Sequence, residues 1–348
     1  MPFQIRYLND LLKLSETSVA TSISIHENLF AKLNAAGIAT TFARKVLPEW
    51  WDAAVASTPS GLQQTYMYLA RGLNLDLVSL VSPSAPLKFL GAQRKFKLNK
   101  NVEEQDVSIS AHYATAIAKI ALKACDLTQM PVPADPVELR NLILQNHKCV
   151  SLEALLLWCG KASIPVLHID KLPGKKMTGL VVREGNKFAI VLSKKATPSH
   201  HVFHLAHELG HIARGHLSTD GFVADQNIGG PDNGDADEKE ADAYAIRLLN
   251  GRAVEYRASF NIKSGKALYL AAQVKAEQEK IDVGHIILNY GFAQNAMAIA
   301  AMALRYIPGE ADGAKVINQA FFKALDSNLL SEDQLNLLQT ATNTDAFP

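Results

Sequence analysis

Cysteine is scarce in this sequence: Cys125, Cys149 and Cys159 are all there is in 348 residues. Their spacing matches no metal or redox motif, and three thiols cannot all pair within one chain. A disulfide framework is therefore not expected, and a reduced, cytoplasmic setting fits best. An excess of either charge is also lacking. A net charge of +1 creates no global field for nucleic acid or an acidic partner. Long apolar runs are missing too. The most apolar stretch, residues 296–304, is about half the length that a membrane span needs, and residues 1–6 open no signal peptide. There is no internal repeat and no low-complexity tract. These absences leave a soluble globular protein, 48% apolar and 20% charged, long enough for two or three domains.

Histidine is what stands out. The segment His204-Leu205-Ala206-His207-Glu208-Leu209-Gly210-His211 contains His207-Glu208-x-x-His211. On a helix, residues four apart share a face, so both imidazoles can grip one metal ion. Glu208 follows His207 directly, which sets its carboxylate beside the ion's open position. Zinc binds such sites tetrahedrally through three protein ligands and a water, and lowers the water's pKa to about 7. Thr197-Pro198-Ser199 reads as the helix start, with Ser199 as N-cap. Val202, Phe203, Ala206, Leu209, Gly210 and Ala213 make the apolar stripe, and His200, His204, His207 and His211 lie on or near a second one. His204 is expected to be an exposed helix residue.

A third protein ligand must come from elsewhere. His216 departs from the metzincin pattern H-E-x-x-H-x-x-G-x-x-H, because Arg214 stands at the glycine position and the histidine comes one residue early. At a helix end it suits the macrodipole. Further on, Glu238, Ala241, Asp242 and Ala245 recur at three and four, hence on one face of a second helix. Glu238 can supply the third ligand, with Glu240 as the alternative. Asp242, one turn on, can accept a hydrogen bond from the non-ligating nitrogen of a zinc histidine. Asp235-x-x-Glu238 also reads as a capping-box-like start.

These residues carry a resemblance. His207-Glu208-Leu209-Gly210-His211, followed by Glu238-x-x-Ala241-Asp242-x-Tyr244-Ala245, is similar to the ImmA/IrrE metallopeptidases, whose pattern is H-E-x-G-H and then E-x-x-A-[N/D]-x-[F/Y]-A. The resemblance extends to residues 179–182 and 188–192, which match the strand pair before the zinc helix, and spans roughly residues 140–290. It implies a gluzincin-like Zn2+ site with His207, His211 and Glu238 as ligands, Glu208 as catalytic base, and Asp242 where asparagine is common. It also implies a protein substrate, a repressor or antitoxin-like regulator cleaved to release gene expression. The expected fold class is α+β and mainly helical. It is a zincin-like peptidase domain with a small β-sheet on the H-E-x-x-H helix, flanked by helical regions.

The rest of the chain is divided on this reading into 1–130 (helical, with a helix-turn-helix-like stretch at 69–76), 131–260 (peptidase) and 261–348 (helical). The first part is read as mostly helical, broken by Pro48, Pro59-Ser60-Gly61 and Pro83–Pro86. Leu62, Tyr66, Leu69, Leu73, Leu77 and Leu80 have core-facing spacing, and Trp50 and Trp51 are placed in the core. DNA contact through residues 40–100 is the minority alternative, since the basic run Arg94–Lys100 reads first as a solvated face. Met130–Pro136 is the boundary. Helices follow at 137–146 and 151–160, then a strand at 165–169. Next come two strands around a five-residue turn at 183–187, the second half-covered. An exposed strand edge beside the zinc helix could hold an extended peptide. Residues 220–234 are read as a loop near the site, with a calcium reading of Asp232, Asp235 and Asp237 set low. Helices are expected at 266–280 and 283–288. A helix at 296–304 is expected to be packed all round, and the last helix lies at 331–343. Tyr269, Tyr290, His285 and Arg247 are the open choices for an oxyanion donor.

Overall fold

The structure, a computed structural model, describes residues 19–91, 93–97, 104–125, 128–225, 235–258, 262–309 and 312–344. The chain forms two compact units, Met1–Leu90 with Glu332–Thr340, and Gly91–Ser331 with Ala341–Pro348.

The first unit holds α1 (Val19–Ala35), α2 (Thr40–Lys45), α3 (Pro59–Gly72) and α4 (Leu77–Val81), with most of the last helix, Glu332–Thr342. Pro59 starts a helix instead of breaking one. It takes the first helical position, where its missing N–H costs nothing, and Thr58 caps by accepting from the Gly61 amide. The apolar spacing from Leu62 to Leu80 is split between two helices, because Asn74 turns left-handed at φ 54° and Asp76 caps α4 through the Ser79 amide. Leu62, Tyr66, Leu69, Leu73 and Leu80 are buried as their spacing predicts. Trp51 is half-buried and donates to Thr65 Oγ1 at 2.8 Å. Trp50 does not join the core: it is 49% exposed, edge-on to Tyr68.

The second unit is built on a five-stranded sheet in the order β1-β5-β3-β4-β2. Its strands are β1 (Gln93–Lys97), β2 (Val166–His168), β3 (Gly179–Glu184), β4 (Lys187–Leu192) and β5 (Gly221–Asp225). Two of these correct the sequence reading. Residues 93–97, assigned to a helical region, pair in parallel with β5. Residues 221–225, assigned to a loop, are a strand buried at every position. Both owe their form to partners distant in sequence, which local patterns do not reveal. The β3–β4 ladder runs to Glu184↔Lys187, so the turn is two residues and not five. Gly185, at φ 61°, supplies the positive φ that tight hairpins demand.

Nine helices of the described residues complete this unit. They are α5 (Glu104–Lys123), α6 (Pro136–Leu144), α7 (Leu152–Lys161), α8 (Pro198–Ala213), α9 (Ala236–Asn250), α10 (Gly265–Glu279), α11 (Val283–Ala293), α12 (Met297–Leu304) and α13 (Gly313–Ala324). Helix α5 packs on β3, β4 and β5, and α8 packs on β3 and β4. Val181, Ile190, Leu192 and Val223 join the core with Val202, Leu205 and Leu209 of α8. Phe222, the next residue in β5, meets His112 of α5 edge-on. The sheet is thus covered on both faces. Ala189–Leu192 are buried without a break, so the strand expected to be half-covered from poor alternation is covered on both faces over those four residues, with Lys187 and Phe188 partly exposed. The outer edge of β2 is closed by a side chain. Asn318 Oδ1 accepts from the His168 amide at 2.8 Å and Asn318 Nδ2 donates to the His168 carbonyl at 3.0 Å, blunting an edge that would otherwise invite pairing.

Pro198 takes the first position of α8, so Thr197 and not Ser199 is its N-cap. Arg140 of α6, itself buried, donates to the carbonyls of Leu248, Leu249, Glu279 and Lys280, satisfying the last carbonyls of α9 and α10 together. Helices α10 to α12 share their own core, including Leu268, Ile287 and Ala300. Met302 of α12 is exposed, so that helix is not packed all round.

Helices α8 and α9 lie close because of Gly210. A Cβ there would come within 2.9 Å of Ala241 Cα and 3.0 Å of its carbonyl oxygen. Backbone cannot yield as a side chain can, so Gly210→Ala is expected to destabilise by about 1–3 kcal/mol, read as a lowered urea midpoint. Acid should also remove the stability that two buried histidines contribute. Burial pushes the His201 imidazole down to about 3 and that of His285 to about 4, with Arg140 adding to the latter. Below the ordinary value near 6.5 the unfolded chain takes up protons that the folded rings refuse, so stability is full above 6.5 and falls as pH drops towards 4. Each tenfold difference in proton affinity is about 1.4 kcal/mol. Urea midpoints at pH 7 and 5 should show the loss, and His285→Leu should make it shallower.

Candidate metal centre

Helix α8 points His207 and His211 at one spot. Their Nε2 atoms lie 3.0 Å apart, and both rings are buried. The opposite nitrogens are engaged. His207 Nδ1 meets Asp242 Oδ1 at 2.8 Å, and His211 Nδ1 meets His216 Nδ1 at 2.7 Å. A carboxylate on Nδ1 keeps the proton there and leaves the Nε2 lone pair for a ligand. Glu238 enters from the first turn of α9, its two oxygens 3.5 Å from His207 Nε2 and 3.4 Å from His211 Nε2.

A fourth side chain joins them. Asp225, the last residue of β5, brings Oδ2 to 3.6 Å from His207 Nε2 and 3.2 Å from His211 Nε2. Among the described residues, His207, His211, Asp225 and Glu238 are the donors that come close enough to share one ion. Sequence reasoning missed Asp225. Its signal was an aspartate closing the short apolar run Gly221-Phe222-Val223-Ala224, which needed to be seen as a strand. Gly179 was overlooked as a site residue too. It pairs with Asp225 across the β3–β5 ladder, and a Cβ on it would overlap the Glu208 carboxylate. The missing side chain is the room that Glu208 occupies.

The oxygens of Glu208, Asp225 and Glu238 are buried and make no hydrogen bond; the nearest approaches of Asp225 and Glu238 to the imidazole nitrogens are 3.2 to 3.6 Å. Burial, then the charge of Asp225, push the Glu208 carboxyl well above the usual range. Glu238 is raised by burial in the same way. Burial would raise Asp225 as well, but His211 and His207 hold it well below. Burial would lower His207, yet Asp225, Asp242 and Glu238 lift it well above its ordinary value. Three buried carboxylates without hydrogen bonds are costly unless a cation compensates them. A divalent metal fits this donor set, and it would leave both imidazoles neutral.

Other sequence candidates fall elsewhere. Glu240 is exposed and lies 3.5 Å from His216 Nε2, outside the four donors. His216 touches His211 through Nδ1, so it braces a ring. His204 is half-buried, edge-on to His201, and not the exposed residue expected. Arg247 lies 3.9 Å from Asp135, Tyr269 accepts from Gln273, and Tyr290 accepts from the Ile262 amide. His285 stacks on Phe203. Asp235 caps α9 through the Asp237 amide. Asp232 and residues 226–234 of the expected loop lie outside the described residues.

A small mixed sheet packed on a helix that carries His-Glu-x-x-His is the zincin-like arrangement, α+β and mainly helical. Residues 162–282 match the family model of Peptidase_M78, described as the IrrE N-terminal-like domain. That stretch is about a third of the 348 residues, and over it the chain is similar to the M78 peptidase family, the ImmA/IrrE type that its motifs resemble. No curated protein and no solved structure matches the chain. Among the described residues, no helix is long and apolar enough to cross a membrane.

Asp242 accepts the hydrogen bond that fixes His207. Losing such a partner typically costs 10–100-fold in metal affinity. Asp242→Ala should therefore release its ion to a competing chelator at a correspondingly lower chelator concentration than the wild type.

Proposed function

We propose that the chain is a zinc-dependent endopeptidase, with His207, His211 and Glu238 holding the ion and Glu208 as catalytic residue. The observation that carries this reading is the convergence of those three donors beside a buried Glu208 carboxylate that makes no hydrogen bond. When bound, zinc supplies Lewis acidity towards a carbonyl and brings the pKa of water to about 7.

The protein's own part is to place and to move a proton. Asp242 and His216 orient the two imidazoles, and Gly179 keeps open the space that Glu208 needs. Glu208 takes the proton of the attacking water and delivers it to the leaving amine, acting as base and then as acid.

The substrate on this reading is a regulatory protein, a repressor or antitoxin whose cleavage relieves transcriptional repression. Support for this comes from the family resemblance. An extended segment of such a substrate would have to add to an outer strand. The hairpin β3–β4 lies inside the sheet and β2 is closed by Asn318, so among the described residues β1 is the outer strand left for it. The regulator reading, with DNA bound through residues 40–100, draws less support. The helix after the turn at 73–76 has five residues, about 7.5 Å at 1.5 Å per residue, which is short for a helix reading a groove.

Metal analysis tests the reading. About one zinc per chain is expected in the wild type, and little in His207→Ala or Glu238→Ala. Glu208→Gln should keep its zinc and lose cleavage of the regulator; cleavage at the wild-type rate by that variant would contradict the role given to Glu208.

A further inference from the structure

We propose that Asp225 is a fourth protein ligand, which occupies the position that a catalytic water must take and so holds the site closed in this conformation. The proposal rests on the reading of His207, His211 and Glu238 as ligands.

The four side chains bring their donor atoms close enough together to share one ion. Donors about 2.1 Å from a zinc ion stand about 3.4 Å from one another. Here the separations are 3.0 Å between the imidazole nitrogens, 3.2 and 3.6 Å from these to the one oxygen Oδ2 of Asp225, and 3.4 and 3.5 Å to the two oxygens of Glu238, one to each ring. Asp225 is placed as well as Glu238, and neither of its oxygens makes a hydrogen bond. Its side chain has no exposure at all, so water cannot solvate it. A carboxylate in that condition calls for a cation.

The fold dictates this position. Side chains alternate along a strand, so Asp225 faces the same way as Val223, which packs in the core with α8. Gly179 lies opposite and contributes no side chain. The Thr178 amide donates to the Asp225 carbonyl at 2.6 Å, fixing the backbone from which the carboxylate reaches the cluster.

The consequence is control. A zinc ion with four protein ligands has no open position, which is the mark of a structural site, whereas a catalytic site keeps one open. Asp225 therefore competes with water and with the substrate carbonyl, and turnover begins when its carboxylate withdraws. It acts on the site as a brake.

Cobalt-substituted full-length protein provides the test, because the visible spectrum of cobalt reports its ligands. Removing a direct ligand should lower ion affinity by roughly tenfold or more, at least the cost of losing an outer partner. The spectrum of Asp225→Asn should also respond to acetohydroxamate at roughly one tenth or less of the concentration the wild type needs. Asp225→Ala, checked for folding by circular dichroism, covers the case in which the amide itself binds the ion. A measurement on the wild type is independent of any variant: relaxation of water protons should show no fast-exchanging water on the cobalt. Equal ion and hydroxamate affinities in wild type and variants, or a water on the wild-type cobalt, would overturn the proposal alone. A wild type that binds no cobalt would overturn the metal reading, and the proposal with it.

Discussion

Three carboxylates and two imidazoles share one dry spot, and the rest of the second unit is arranged to make that tolerable. Glu208, Asp225 and Glu238 have neither solvent nor a hydrogen bond. In a low-dielectric interior such groups repel one another and forfeit their hydration. A cation at the centre reverses the sign of the problem. The same charges that would split the site apart then bind it together, which makes the metal centre a fold element as much as a chemical one.

The geometry needs three elements to meet: a strand end, a helix beside it and the first turn of the next helix. Two glycines allow the approach. Gly210 lets α8 and α9 touch backbone to backbone, which brings Glu238 and Asp242 to the histidines. Gly179 leaves empty the volume where Glu208 lies. Around this, His216 and Asp242 brace the two rings from behind. The sheet is covered on both faces, with Asn318 over one outer strand, and Asp225 stands at the end of a strand paired within it.

Much of this was legible in the residues. His207-Glu208-x-x-His211 and Glu238-x-x-Ala241-Asp242 speak through helical periodicity, which needs only neighbours three and four apart. Those residues lie together in the structure, and the family match at 162–282 falls inside the stretch of about 140–290 over which the resemblance extends. The helices of 136–161 and the hairpin of 179–192 were visible for the same reason, since caps and turns are local. Errors gathered where local signals mislead. Ser199 looked like a cap until Pro198 claimed the first helical position. Trp50 looked like core, although its surroundings leave it at the surface.

The sequence alone determined the chemistry of the histidine helix, its glutamate and the acidic helix that follows, because spacing on a helix is geometry written in one dimension. Only the tertiary structure decided that residues 93–97 and 221–225 are strands, and that Asp225 therefore reaches the same spot as Glu238. Strand pairing between segments far apart in the chain depends on partners that no short window contains. A lone aspartate after four small or apolar residues becomes a candidate ligand only once the ladder with Gly179 sets the face on which it stands.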